Sequence, residues 1–516
     1  MRSPFWFSKS SVTSEKLKID MKSVLLIAAV LFSFSAFNQT QGIAYSAVGK
    51  GVATTFVTDY HCLGINTSAL GWGTGYSGKH TTLGMTEFGF GVYSDAMNSA
   101  KLKKFFGAVK DQAFGTNPTP YDWNTQREAA GDYAQAGVSM FLNLNWFGFA
   151  YQNEKLGGIA FNVQENYQWY SKFNQQTTDI LFRGKFSSYF DSLQIAVNGD
   201  TSMIANSANL SADTLNSVIL GSISVPLKLS AITNGSEIRS VWNRYYNFGY
   251  GRKLFGKDSV FVVYGGVGGR FIQSMAMFNM ESNESGLYMY SSVTPRFNID
   301  YGNVALSNPS TIMQSGNFPK SVGNGYGIDL SLSAILFNKL KIAASINNIG
   351  QVLYNRNVYK VNDTLLTHVS VNGLSDYNVT QSINQLLRDG GLLSLQGQEK
   401  YVLKNASDFR VGASMDFGKI FTVGVDIVAP FDRTRPGSIT NPVFSVGGEL
   451  RPTKWLCLSA GYFGGGIYKS NIPVGIKFVL KNGAYEFGVS SYDALSFFLN
   501  NSNSFSAAMG VARLRF

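Results

Sequence analysis

The side chains suited to chemistry in this 516-residue chain are few and scattered. Its three histidines, His61, His80 and His368, are too far apart in sequence to suggest a histidine metal site or a serine–histidine pair. A glycine-rich phosphate loop and a Gly-x-Ser-x-Gly elbow are missing as motifs, and Gly488 to Ser491 reads as ordinary strand. No catalytic residue, metal ligand or cofactor is therefore assigned, and a hydrolase with dispersed catalytic residues is the least supported class. The charged residues say more. Arg270, Arg296, Asp300, Asp329, Lys341, Arg410, Asp416, Asp426, Glu449, Lys477, Arg513 and Arg515 sit in runs where polar and apolar residues alternate. That spacing gathers them on one face of a strand, where opposite charges can pair or meet a solute. The cationic run Lys101, Lys103, Lys104 comes without a nucleic-acid motif, so the net charge of +11 does not argue for a nucleic-acid partner.

Strands must position these residues. From about residue 137 the dominant period is two. Ile328, Leu330, Leu332 and Ala334 alternate with Asp329, Ser331 and Ser333; Phe421, Val423, Val425 and Ile427 oppose Thr422, Gly424 and Asp426. A water-soluble sandwich alternates too, so the connections decide. Short links at Asn153 to Leu156, Gly256 to Ser259, Asn338 to Lys339, Phe417 to Lys419, Pro452 to Thr453 and Asn482-Gly483 alternate with long ones such as Ser171 to Glu237 and Arg356 to Ser407. Short turns at one end and long loops at the other belong to an outer-membrane barrel. The chain also finishes with Ala508, Gly510, Ala512, Leu514 and Phe516 on one face, which resembles the signal read by barrel-assembly machinery. Candidate strands begin near residues 82, 137, 157, 240, 259, 286, 325, 339, 407, 419, 442, 454, 472, 484 and 506. That is an odd number where an even one is required, and the conflict localises to residues 302–323. The expectation is an all-β, transmembrane, antiparallel barrel of about fourteen strands, with sixteen as the alternative.

Composition agrees. The chain is 45% hydrophobic and 14% aromatic but only 15% charged, against the roughly 25% charge of soluble globular chains. No apolar run approaches the ~20 residues of a spanning helix. Met21-Lys22, the apolar run Val24 to Phe32, and the small residues Ser35, Ala36, Gly42 and Ala44 read as an export signal, with Met21 the expected start. The expected organisation is an extension plus signal peptide over 1–44, a separate segment over 45–79, and a barrel over 80–516. Such a barrel sits in the bacterial outer membrane, with its lipid and the assembly machinery as partners.

Two stretches leave the strand period. Leu102, Phe105, Phe106 and Val109, and Val379, Ile383, Leu386 and Leu387, have helical spacing and fall in long loops. They either cap the barrel or form an apolar funnel for a hydrophobic ligand. Residues 45–79 are glycine-rich, lack alternation and contain Gly64-Ile65-Asn66-Thr67-Ser68-Ala69-Leu70-Gly71-Trp72. This segment, between an export signal and a barrel ending in Phe, resembles the FadL-like family of long-chain fatty acid transporters. In that family the N-terminal segment folds as a hatch inside a fourteen-stranded barrel. Asn66 matches the family's Asn-Pro-Ala element, with Thr67 and Ser68 in the places of Pro and Ala. Glu87 to Ala96 and Gly325 to Asp329 also resemble uncharacterised Bacteroidetes barrels and their PorV-like relatives. The resemblance implies a hatch or gate at Asn66, Thr67, Ser68 and Ala69, and passive uptake of a hydrophobic small molecule. A non-transporting barrel serving as an interaction or secretion platform is the alternative. Cys62 lies in the implied hatch and Cys457 on a lumenal strand face. In an oxidising compartment they can pair and pin hatch to wall; two independent buried thiols are the competing reading.

Overall fold

The computed structural model describes residues 37–38, 44–96, 123–153, 155–207, 210–257, 260–373, 393–466, 470–497 and 502–516. Fourteen strands form one closed antiparallel barrel. They are β1 Thr81–Ser94, β2 Gly137–Asn153, β3 Gly157–Lys172, β4 Glu237–Lys257, β5 Phe261–Asn283, β6 Gly323–Leu336 and β7 Leu340–Tyr354. The second half comprises β8 Asp408–Phe417, β9 Phe421–Pro430, β10 Val443–Leu450, β11 Leu456–Gly466, β12 Val474–Leu480, β13 Tyr485–Ser491 and β14 Ser504–Arg515. Closure is made by β1, which pairs with β2 on one side and β14 on the other.

The parity conflict has a local cause. Gly286–Val293 alternates like a spanning strand but pairs only with Ala276–Asn283, the distal part of β5, and with Lys360 to Val358. It is a hairpin arm raised beyond the barrel wall. The proximal part of β5, Phe261–Ser274, pairs directly with β6. Between them, residues 302–322 hold one short helix, Val304–Ser307, and no strand.

Alternation sorts the two faces by solvent. On β6, Ile328, Leu330 and Leu332 point outward at 48%, 50% and 57% exposure, while Asp329, Ser331 and Ser333 are buried. Phe248, Val267, Phe271, Val425, Val446, Val489 and Val511 continue the outward apolar band round the wall. A continuous belt of this kind is costly in water and is at home against lipid. No helix among the described residues is long and apolar enough to cross a membrane. The wall is uneven in height. β4 and β5 run 21 and 23 residues, whereas β12 and β13 have seven each.

Every short link between consecutive barrel strands lies at the end that holds Thr81 and Phe516. The link between β6 and β7 turns through Phe337 and Asn338, both at positive φ. At the long-loop end, Ser192–Val197, Asp200–Ala205, Val218–Lys228 and Leu365–Val369 form a separate four-stranded sheet. It shares an apolar core with the helix Gln175–Arg183 through Ile180, Phe190, Leu229, Leu366 and Val369. The two expected apolar loop helices, with Leu102, Phe105, Phe106, Ile383 and Leu386, lie outside the described residues. Inside the barrel runs the segment from Ala44 to Trp72, almost wholly buried, with a helical turn at Tyr45–Val48 and 3-10 turns at Asp59–Cys62 and Thr67–Trp72.

Candidate functional site

A segment with so little regular structure leaves many backbone N–H and C=O groups in need of partners. The polar inward faces of the strands supply them. The backbone N–H groups of Ala53 and Thr54 donate to the Asp426 carboxylate at 2.6 and 2.8 Å. Ser345 donates to the carbonyl of Ile65, Asn162 to that of Tyr60, and Gln152 to that of Leu70. Charges add three anchors. Lys50 meets Glu449 at 2.8 Å, a carboxylate already flanked by Arg451 at 2.7 Å and Lys477 at 3.3 Å. Asp59 pairs with Arg513, which also holds Glu486 at 2.7 Å; Tyr45 donates to Glu486 at 3.0 Å. Tyr60 donates to Glu87 at 2.6 Å, and His61 Nε2 lies 2.8 Å from the same carboxylate.

Paired glycines on neighbouring strands let this plug seat deeply. Gly84 of β1 stands opposite Gly148 of β2, and any Cβ there would overlap the Tyr60 side chain. Gly488 and Gly510, paired across β13 and β14, receive the Tyr45 ring. Gly447 and Gly461 receive the carbonyl of Lys50, and Gly251 and Gly266 lie against Thr67 and Ser68. Each pair is a dent in the wall that a side chain would fill.

The residues expected at a gate, Asn66, Thr67, Ser68 and Ala69, are all completely buried. Asn66 donates to the Thr54 carbonyl at 2.8 Å, and Ser68 Oγ lies 2.6 Å from both Asn66 Oδ1, to which it donates, and Ser333 Oγ. Of the charges expected in the lumen, Arg270 bonds both carboxylate oxygens of Asp329 at 3.0 Å and lies 5.4 Å from the Tyr245 ring centre. Lys341 faces Asp416 at 3.6 Å and lies 5.6 Å from the ring centre of Trp72 in the plug. Arg410 pairs with Asp408 at 2.8 Å, and Asp426, Glu449 and Lys477 meet the plug or its partners as described. Two placements need correction. Arg296 and Asp300 are not lumenal; they are exposed in the long-loop region, because the strand carrying Leu287 stops at Val293 and a 3-10 turn over Pro295–Phe297 follows. The Cys62–Cys457 disulfide is not formed either. Both thiols are free and buried, Cys62 packed within the plug's own apolar cluster and Cys457 on β11. One grouping escaped the sequence: Ser46 Oγ lies 3.5 Å from His61 Nδ1, whose Nε2 meets Glu87. Its resemblance to an acyl-transfer triad is limited, since the serine contact is at the outer limit of a hydrogen bond and Glu87 also serves Tyr60 and Asn145.

On the long-loop side of the plug lies a chamber. Ala44, His61, Leu63, Gly64 and Ile65 form its floor, and Leu403 to Ala406, Pro436 and Gly437 its rim. Its wall is crowded with amides: Asn143 and Asn145 on β2, Gln164, Asn166 and Gln168 on β3, Asn243 and Asn247 on β4, and Asn347 and Asn348 on β7. The signal that reveals them is plain in the sequence. Amides recur at every second position, in Asn143-Leu144-Asn145 and in Gln164-Glu165-Asn166-Tyr167-Gln168.

No family model and no curated protein matches the sequence. Comparison with solved structures finds transporters and a FadL homologue at low identity. The toluene transporter TodX of Pseudomonas putida is 10% identical, with 93% of this chain and 99% of that chain covered at a TM-score of 0.38. The toluene transporter TbuX of Ralstonia pickettii is 11% identical, with 94% and 100% covered at 0.42. A FadL homologue of Pseudomonas aeruginosa is 9% identical, with 93% and 97% covered at 0.36.

Proposed function

We propose that this chain is a passive, plug-gated conduit for small molecules in a bacterial outer membrane. The observation that carries the reading is the chemistry of the contact between plug and wall. Ion pairs and hydrogen bonds dominate it, and water or a passing solute can take over such partners one at a time. A plug sealed to the wall by a dry apolar interface would have to pay for exposing that surface whenever it moved.

A hydrophobic cargo is favoured by one feature. Beside the low wall of β12 and β13, Tyr45 and Val48 of the plug pack with Tyr93, Phe141, Phe463 and Tyr492 in a buried apolar seam. An apolar solute that loosened the seam would leave sideways into lipid. The test of gating is deletion of residues 46–72 in the full-length chain, reconstituted in liposomes. The barrel inserts and solute flux rises; a correctly inserted deletion variant with unaltered flux overturns the gating role and favours a platform that transports nothing.

A further inference from the structure

We propose that the rim at the short-turn end binds anionic phospholipids of the adjoining leaflet, the periplasmic one for an outer-membrane barrel, through a lysine at each barrel turn. The inference goes beyond the conduit: it needs the barrel to sit in a membrane and is indifferent to what passes the plug.

Six short links join consecutive barrel strands at this end, and each has a lysine in it or at its edge. They are Lys155, Lys257, Lys339, Lys419, Lys454 and Lys481, at the links from β2 to β3, β4 to β5, β6 to β7, β8 to β9, β10 to β11 and β12 to β13. Turn geometry does not explain the recurrence, since glycine, asparagine and aspartate are the residues that tight turns favour. Lys481 even sits at positive φ, with Asn482 after it also positive, a place where asparagine or glycine costs less. All six side chains are exposed, and none forms an ion pair among the described residues.

Nearby acids do not neutralise this rim. Asp416 faces Lys341, and Glu449 is shared by Lys50, Arg451 and Lys477, so both are spent inside. Within the links themselves the sequence has only Glu154 and Asp258, which leaves the links of Lys339, Lys419, Lys454 and Lys481 with net positive charge. The long-loop end differs, because cations there pair locally: Arg183 with Asp179, Arg239 with Glu237, and Arg435 with Asp432.

The neighbours of the lysines identify the partner. Within two residues of each stands a large apolar side chain that is itself exposed: Leu156, Phe255, Phe337, Ile420, Trp455 and Leu480. These carry the outward belt to the end of the wall, where hydrocarbon gives way to headgroups. A lysine at that level lays its stem on apolar surface and holds its ammonium at the depth of the phosphates. The six are spread round the barrel rather than gathered in one patch. That distribution matches a ring of lipids, whereas a protein partner needs a contiguous contact face. Near an anionic lipid surface each lysine is worth about a five-fold shift in population.

The full-length protein in mild detergent is offered equimolar dioleoyl-phosphatidylglycerol and dioleoyl-phosphatidylcholine, and the retained lipids are counted by native mass spectrometry. Both carry a phosphate, but only the first has net charge. Phosphatidylglycerol should be retained about five-fold or more over phosphatidylcholine. The preference should fall to near unity in the combined variant Lys339→Gln, Lys419→Gln, Lys454→Gln, Lys481→Gln, and persist when the same four are changed to Arg. It should also persist in the control Lys172→Gln, Lys228→Gln, Lys360→Gln, Lys400→Gln at the long-loop end. Heat-dependent gel migration reports whether each variant is a folded barrel; if the combined glutamine variant is not, the four single substitutions are compared, each expected to lower the preference. No preference in the wild type overturns the proposal, as does an equal loss in rim and control variants or a preference undiminished in the folded rim glutamine variants. Even retention of the two lipids together with capture of soluble polyglutamate, lost in the rim variant, also overturns it and assigns the rim to an acidic protein. The conduit reading is decided by flux, which these lipid counts leave untouched.

Discussion

Glu449 shows how single residues set the tension on the plug. Its buried carboxylate is shared by Lys50 from the plug and by Lys477 and Arg451 from the wall. Glu449→Gln leaves these cations without their anion, and breaking a buried pair from one side costs about 3–5 kcal/mol. Lys50→Met takes away one cation of three and leaves the carboxylate paired. Thermal unfolding in detergent should therefore rank the variants with Glu449→Gln well below Lys50→Met, and an equal loss in both would refute the shared-anion account. The wall half of this arrangement was legible from alternation alone, since Arg270, Asp329, Arg410, Asp426, Glu449 and Lys477 all fall on polar strand faces. The plug half was not. Asp59 and Arg513 are 454 residues apart in sequence, and Lys50 and Glu449 are nearly as distant, so no local pattern announces a pairing made by closing a barrel. Asparagines on inward faces were equally visible as spacing, but a partner such as the Tyr60 carbonyl, to which Asn162 donates, is provided only by the folded plug.

At the scale of elements, the glycine-rich composition has a use that strand propensity alone would count as a defect. Tyr60 reaches the wall only because Gly84 and Gly148 face one another, so Gly148→Ala must push the ring, and with it the Glu87 contact, away from the wall. Gly269 on β5 has open space where its Cβ would stand, and Gly269→Ala is the matched control. Proteolysis from the short-turn side should release the plug in Gly148→Ala and spare it in Gly269→Ala; equal protection of both would show that the glycine pair does not seat the plug. The sheet at the long-loop end invites a different measurement. Hydrogen bonds from Ser192 and from the hydroxyl and backbone N–H of Ser224 pull the Asp191 carboxyl down to about 2. A folded-state value below the ordinary carboxylate value of about 4 contributes stability that is complete above that value and is lost as pH falls toward about 2. The protection of the Val218–Lys228 amides, measured against the intrinsic exchange rate at each pH, should fall over that interval, and Asp191→Asn should abolish the change. Strand alternation foretold the barrel elements but also misread Gly286–Val293, because an arm raised beyond the barrel wall and packed on one face carries the same period as a strand within it.

For the whole molecule, the decisive question is what medium the outward belt meets. Adjacent residues on β6 allow the two faces to be compared at one height. Leu330 is half exposed on the outer face, while Ser331 is buried on the inner one and accepts a hydrogen bond from the backbone of Ser68. If the belt faces lipid, Leu330→Arg places a charge in hydrocarbon at a cost of about 2–4 kcal/mol near the midplane. If it faces water, the same substitution removes an exposed apolar side chain and is close to neutral. Ser331→Ala supplies the converse, deleting one plug contact without touching the belt. Folding into lipid bilayers over a urea series should show a lowered midpoint for Leu330→Arg, with the plug still protected from protease in the fraction that folds. Ser331→Ala should keep the midpoint nearly unchanged and loosen the plug. A Leu330→Arg variant as stable as the wild type in bilayers would contradict the membrane reading of the entire outer surface, since Ile328, Leu332 and the other belt residues owe their exposure to the same cause.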